Sequence, residues 1–419
     1  MLEAVVRRFR YWTTRLLFIL SILGPGFITA NVDNDSGGIY TYASAGAQFG
    51  YSLLWTMIPV AVALTFAQEI AARMGVVTGK GLSELIREEY GFRITFFVMA
   101  ALVVCNFCDV LSEFAGVASS MQLFGVSKYI SVPIAAVLVW CLVVFGDYRK
   151  IEKIFLFLSF LYIAYIVTAI LAKPDWALVG REMVRVPSLK EMKDPVYLYL
   201  SAGIIGATIA PWQQFYLQAS VVDKGSNRTV LKYAQADAIV GSLFSVLVAG
   251  FIVIACAATL FTHGQHQIHD AADAAQSLRP LGGDYAFMLF SVGLLNASLF
   301  AASILPLSTA YTVCEALGFE SGLNKRFKSA PVFYWLYTTL LGIGALVILI
   351  PNFPLIKVAI LSQVLNGILL PFVLVFVLLL ASKPELMGKF VNPRAYQAAA
   401  WVITAVITAI MGWMLIAQQ

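Results

Sequence analysis

The stretch "ITANVDNDSGGIYTY" (Ile28–Tyr42) sets Asp33, Asn34, Asp35 and the pair Gly37-Gly38 inside an apolar run long enough to cross a membrane. A carboxylate near the bilayer middle costs about 3 kcal/mol even on lenient scales. Paired glycines also loosen the helix that should hold it. The stretch therefore predicts a helix that unwinds at Asp33–Gly38 and aims a carboxylate into the protein interior.

The rest of the chain supplies the membrane context. Of 419 residues, 60% are hydrophobic and only 12% charged, and the mean hydropathy is +0.83. A soluble domain carries about a quarter charged residues, so this composition indicates a polytopic membrane protein. Apolar periodicity gives eleven spans, at about 18–45, 51–75, 94–124, 127–146, 152–172, 195–222, 231–262, 281–315, 331–350, 354–382 and 395–417. Arg7, Arg8, Arg10 and Arg15 precede the first span without a small-residue cleavage site, so a cleaved signal peptide is not expected. With the N-terminus cytoplasmic, 20 of the 28 Lys and Arg fall on the inner side, which is the bias of the positive-inside rule. An integral protein of a bacterial inner membrane, acting as a monomer in the lipid bilayer without nucleic acid, is the expectation.

A second irregular span is "LSAGIIGATIAPWQQFYLQAS" (Leu200–Ser220), interrupted near its middle by Gly203, Gly206, Pro211, Gln213 and Gln214. Proline removes a backbone donor and opens carbonyls, and glutamines sit poorly against lipid. The first and sixth spans are thus both broken, five spans apart. Two interrupted segments at matching positions of two halves point to an inverted-repeat transporter. One transmembrane domain results, with repeats at about 18–172 and 195–382 and an extra helix at about 395–417.

Unwound backbone with a carboxylate suits a hard cation, because carbonyl and carboxylate oxygens replace its water. The bland alternative is that Asp35 caps the second half-helix while Asp33 pairs with a buried donor. Elsewhere, Cys105 and Cys108 form a CxxC on one helical turn, which reads as two small core residues. His263, His266 and His269 in "HGQHQIHDAAD" read as a solvated external loop, since no cysteine or fixed support accompanies them. Glu84, Glu88 and Glu89 read as a solvated cytoplasmic face, and Asp237 and Glu315 as gate residues or interfacial caps.

Five stretches carry a family resemblance: residues 24–55, "QEIAARMGVVTGKGLSELIREEYG", "GIIGATIAPW", "NRTVLKYAQADAIVGS" and "AILSQVLNGILLPFVLV". They resemble the NRAMP divalent-metal transporters over most of the chain. The resemblance implies a LeuT-like all-α fold of two inverted five-helix repeats, here with an eleventh helix, and no enzyme activity or cofactor. Two departures stand out. The family's first span carries Asp-Pro-Gly-Asn, where this chain has Asp35-Ser36-Gly37-Gly38. Its sixth carries Met-Pro-His, where this chain has Ala210-Pro211-Trp212. One carboxylate survives while an amide and a soft thioether are gone, which favours hard ions over manganese, iron or cadmium.

By this resemblance the metal site comprises Asp35, Gly38, Ala207, Ala210 and Gln363. Asp33, Asn34, Asp109, Glu113, Trp212, Gln213, Gln214 and Asn366 are candidates for its surroundings or for the ion path. Gly38 and Ala210 should leave volume in which an ion keeps part of its water. Mg2+ dehydrates reluctantly, and the pattern resembles the NRAMP-related magnesium transporters of prokaryotes, with Mn2+ as a further cargo. Family members pass protons through a histidine on the sixth span, an acid on the third and arginines on the ninth. Here those positions give Trp212, the i,i+4 pair Asp109 and Glu113, and a ninth span without a basic residue. Uptake without proton coupling is the expectation.

Readings from other classes remain. Another hard ion such as aluminium, or a small organic substrate seated against Trp212 and Phe215, fits the same fold. An intramembrane enzyme would need a nucleophile with its base, or a histidine metal site, within the spans, and every histidine lies outside them. A continuous channel suits two inverted broken helices less well than alternating access does.

Overall fold

The computed structural model describes residues 24–146, 148–226, 228–264, 266, 268 and 279–417. The four N-terminal arginines, residues 18–23 of the expected first span, and His269 lie outside these. The described residues form helices and no strand. Ten helical stretches among them are long and apolar enough to cross a membrane. The first span is present besides these, in two pieces: α1 (Pro25–Val32) and α2 (Ser36–Phe49).

The chain continues through α3 (Met57–Thr78), α4 (Leu82–Leu123) and α5 (Lys128–Phe145). One span is shared by α6 (Tyr148–Phe160) and α7 (Ile163–Leu171), and α8 (Trp176–Met183) lies in the following connection. The sixth span is again two pieces, α9 (Pro195–Thr208) and α10 (Pro211–Asp223). Then come α11 (Leu231–Thr259), α12 (Arg279–Leu317), α13 (Pro331–Ile348), α14 (Leu355–Ala381), the short α15 (Pro384–Met387) and α16 (Arg394–Ala417).

One boundary differs from expectation. The third span, expected from residue 94, starts at Leu82 and runs through Gly91, whose φ of 81° and ψ of 167° break the helix without ending it. Only glycine takes that backbone at little cost. Glu84, Glu88 and Glu89 therefore sit on helix rather than in a loop: Lys80 pairs with Glu88 at 2.5 Å, and Lys383 pairs with Glu89.

Helices here are apolar nearly all round because their outward faces meet lipid; Phe97 and Leu346 are 72% and 66% exposed. Lipid is as apolar as leucine, so close packing of small residues must bring the helices together. At Gly206 of α9, an added Cβ would stand 1.9 Å from the Gln363 carbonyl oxygen of α14. The two backbones touch there, which sets the second break directly against Gln363. α11 packs along α1, α2 and α3, while α4 packs between α12 and α14.

Asp237 of α11 is the cap of α1. Its carboxylate accepts from the backbone N–H of Gly24 (2.8 Å), Gly26 (2.7 Å) and Phe27 (3.1 Å). A carboxylate at a helix start satisfies orphan donors and complements the dipole. Beside it, Lys224 at the end of α10 pairs with Glu152 of α6 at 2.6 Å. Glu315 likewise serves the start of α4, accepting from Ser83 Oγ at 2.9 Å. The eleventh helix is attached through a buried group: Glu69 of α3 accepts from Arg73 (2.9 Å), Gln235 of α11 (2.6 Å) and Tyr396 of α16 (2.5 Å).

Candidate metal-ion site

The first break is short. Only Asp33–Asp35 leave the helix, and α2 resumes at Ser36, so Gly37 and Gly38 are helical rather than unwound. The reason is local: Asp35 is the N-cap, and its Oδ1 accepts from the Gly38 N–H at 2.6 Å. Such a cap is worth about 1 kcal/mol. The second break is shorter still, confined to Ile209 (φ −128°, ψ 68°) and Ala210 (φ −72°, ψ 141°). Ala207, expected at the metal site, lies in the last turn of α9.

The breaks face each other. The Asp33 carboxylate reaches the Ala210 backbone across them, and Tyr42 and Thr208 join α2 to α9 at 2.9 Å. Gln363 of α14 closes a third side, its Nε2 standing 3.4 Å from both carboxylate oxygens of Asp35. The C-terminal ends of α1 and α9 converge here and present the negative ends of their dipoles, an environment that favours a cation.

The wall opposite is a stripe on α4 made of the polar Asp109, Ser112 and Glu113 and the small Gly116. Glu113 Oε2 accepts from the Ser36 N–H at 3.3 Å, and Ser36 Oγ donates to the Ser112 carbonyl at 2.7 Å. At Gly116 an added Cβ would stand 2.4 Å from Ser36 Cβ. Asp109 takes two hydrogen bonds of 2.9 Å from the Asn366 amide. Asp33, Asp35, Asp109 and Glu113 lie close enough to act on one another electrostatically. Four buried acids with no Lys, Arg or His bonded to them, among the described residues, form a strongly cation-attracting centre.

Three acceptors at this centre have no protein donor: Asp33 Oδ2, Glu113 Oε1 and the side-chain oxygen of Asn366. Even so, among the described residues no three His, Cys, Asp or Glu converge into a ready-made metal cage. The centre is also sealed, with Asp33 and Asp35 only 2% and 3% exposed.

Other expected residues point elsewhere. Gln213 Oε1 accepts from Gln68 of α3 at 2.6 Å. Gln214, with its amide nitrogen turned toward them, folds onto the Ala210 and Pro211 carbonyls at 3.1 and 2.9 Å. The Asn34 amide donates to Ser245 Oγ of α11 at 3.0 Å. Trp212 is buried beside Tyr216. The volume expected beside Gly38 is filled in this conformation, because a Cβ there would meet the Asp33 carbonyl oxygen at 2.6 Å. Missed by the sequence reading were Ser36, Ser112, Tyr42, Thr208 and Gln68. The i, i+3, i+4 spacing of Asp109, Ser112 and Glu113 in the apolar second half of α4 is the signal that would have found Ser112.

Broken spans in a bundle of this arrangement, meeting at a sealed acidic centre, define a secondary transporter of the LeuT-like class rather than an enzyme. Comparison with known proteins is specific. A family model described as natural resistance-associated macrophage protein-like (Nramp) matches residues 26–417. The divalent metal cation transporter MntH of Deinococcus radiodurans is 28% identical, over 95% of this chain and 90% of that protein. The Eremococcus coleocola manganese transporter superposes with a TM-score of 0.78 at 22% identity, over 96% of this chain and 86% of that one. MhsT, solved with L-phenylalanine, superposes at 0.61 with 13% identity, covering 94% and 98%, and shares the fold alone. The chain belongs to the Nramp family of integral membrane transporters.

Proposed function

We propose that this transporter carries divalent metal cations inward, Mg2+ first and Mn2+ with it, partly hydrated and without protons. The observation that supports it best is the donor set at the two breaks. Asp35 and backbone carbonyls offer hard oxygens, the Gln363 amide stands beside the Asp35 carboxylate, and Ala210 and Trp212 offer neither thioether nor imidazole. Hard oxygen ligands suit Mg2+, which keeps several waters in protein sites, and the scattered acids are spaced for contacts through water. In this reading Asp35, Gly38, Ala207, Ala210 and Gln363 form the site, which loads its ion in a conformation more open than the sealed one described. A carboxylate acting across one water, at about 4.5 Å and an effective dielectric near 20, contributes about 4 kcal/mol before desolvation. That suits a millimolar ion.

The remaining parts of the reading are topological. The repeats span about 18–172 and 195–382, α16 is accessory, and the monomer sits in a bacterial inner membrane with the N-terminus inside. The grouping of Arg73, Lys80, Lys224, Lys325, Lys383 and Lys389 on one side supports this orientation.

Energetics do not require a proton. Moving a dication inward at 100 mV releases about 4.6 kcal/mol. That sustains a gradient of roughly two thousandfold. α13 carries no basic residue, and Trp212 stands where a titratable imidazole would relay protons.

Manganese as the main cargo is the second reading, favoured by the likeness to the Eremococcus coleocola manganese transporter. Proteoliposome uptake of Mg2+, Mn2+ and Ca2+ with lumenal pH recorded separates the two. The expected result is potential-driven Mg2+ uptake with no acidification. Metal-dependent proton influx at zero imposed pH gradient would overturn uncoupled transport, and exclusion of Mg2+ would overturn the cargo.

A further inference from the structure

On the face that carries most of the basic residues, a cleft of roughly 1000 Å³ opens between the end of α5, the start of α6 and the turn leading into α13. Lys150, Lys325 and Arg326 line it together with Trp140, Phe145 and Tyr334. We propose that this cleft binds the phosphate headgroup of an anionic phospholipid, with the acyl chains running along α5 and α13.

Three observations favour this occupant. The first is charge: three cations line one cleft, and the acid paired with Lys325 is Glu320, at 3.0 Å with both side chains largely in solvent. An exposed pair of that kind is worth little and yields readily to a phosphate. The second is depth. Phe145 is 75% exposed at the last residue of α5, and Trp335 is 61% exposed in the first turns of α13. Aromatic side chains at helix ends mark the headgroup level of the bilayer, where phosphates lie. The third is preorganisation. The Trp140 indole is fixed by Thr338 Oγ1 at 2.8 Å, and Tyr334 donates to the Lys325 carbonyl at 2.8 Å. Phe327 stacks on Tyr334 with ring centres 5.4 Å apart. Asp223 of α10 holds the same turn by accepting from the Leu323 N–H at 3.1 Å.

That the lipid belongs to the inner leaflet rests on the orientation proposed above; binding itself does not. Native mass spectrometry of the full-length protein, titrated with phosphatidylglycerol or phosphatidylcholine, reads binding without reference to leaflet, so the two ideas fail separately. One saturable phosphatidylglycerol adduct is expected, with phosphatidylcholine binding about tenfold weaker. The double change Lys325→Gln with Arg326→Gln should weaken the adduct by about tenfold or more. The charge-keeping Lys325→Arg should retain it and serve as the control for folding. Equal binding of both lipids, or an adduct unchanged by the double substitution, would overturn the site. Displacement of the lipid by millimolar glycerol phosphate would identify a soluble phosphate as the occupant and overturn the lipid assignment.

Discussion

The two breaks are built from different material. The first presents side chains: Asp33 and Asp35, with Asp35 capping α2 through the Gly38 N–H. The second presents backbone alone, because Ile209 and Ala210 carry no polar atom beyond the main chain and α10 starts without a side-chain cap. One break therefore supplies charge and the other supplies carbonyl dipoles. In the reading proposed above, charge at a single break would make ion binding depend steeply on Asp35, whereas the bare backbone would leave the other break free to set ion preference.

The largest expected effect lies at the charged break. Asp35→Ala should lower divalent-cation uptake by a hundredfold or more while the purified protein keeps its helical circular dichroism. Uptake near wild type would remove the charge from its assigned role.

A smaller effect belongs to the bare break. Ala210→Met adds a soft ligand and should move the Mn2+ to Mg2+ uptake ratio upward by about tenfold. An unchanged ratio would shift selectivity to α14. The companion change Gly38→Asn is less clean. Its Cβ meets the Asp33 carbonyl oxygen at 2.6 Å, so the change should destabilise the protein by about 1–3 kcal/mol, read as a lower Tm.

Away from the centre, Asp237→Asn removes the charge from three backbone bonds at the start of α1. It should cost about 1–2 kcal/mol and raise the labelling rate of a cysteine introduced at Ile28 by several-fold. An unaltered labelling rate would mean that the cap does not hold the half-helix in place.

The smallest effect is expected at Gln213, whose side-chain oxygen is taken by Gln68. Gln213→Ala should change the Michaelis constant for Mg2+ by less than about threefold. A loss as large as that of Asp35→Ala would put Gln213 on the ion path after all.

Measurements near neutral pH leave the connection between α8 and α9 untouched. Glu191, bonded by Arg185, is lowered from 4.5 to about 2. Its contribution to loop stability is full above about 4.5 and is lost only as pH falls through about 2.

Much of this architecture is legible in the chain. Span length, hydropathy and two polar interruptions yield the eleven helices and both breaks, since a bilayer forces every buried polar group to declare itself in an apolar run. Boundaries set by competing local bonds are not legible. Gly37-Gly38 reads as unwound, yet the Asp35 cap keeps both helical. Gln213 reads as a candidate for the site's surroundings or the ion path, and its partner Gln68, 145 residues earlier, is not announced by the local sequence. The start of α4 was missed because Leu82–Tyr90 is charged enough to pass for a loop, and its anchors, Lys383 and Glu315, come from distant helices.

α1 has eight residues, bounded by an extended Gly24 and the break at Asp33. A helix that short is not stable by itself in water. Its helicity is lent by α11, through Asp237 and the backbone contact at Gly26, where an added Cβ would stand 2.6 Å from the Ala238 nitrogen. Where α1 undocks into a water-filled vestibule, undocking and melting are therefore one event. A transport cycle that opens along this side would carry the thermal signature of local unfolding, with a large activation enthalpy and turnover that climbs steeply with temperature.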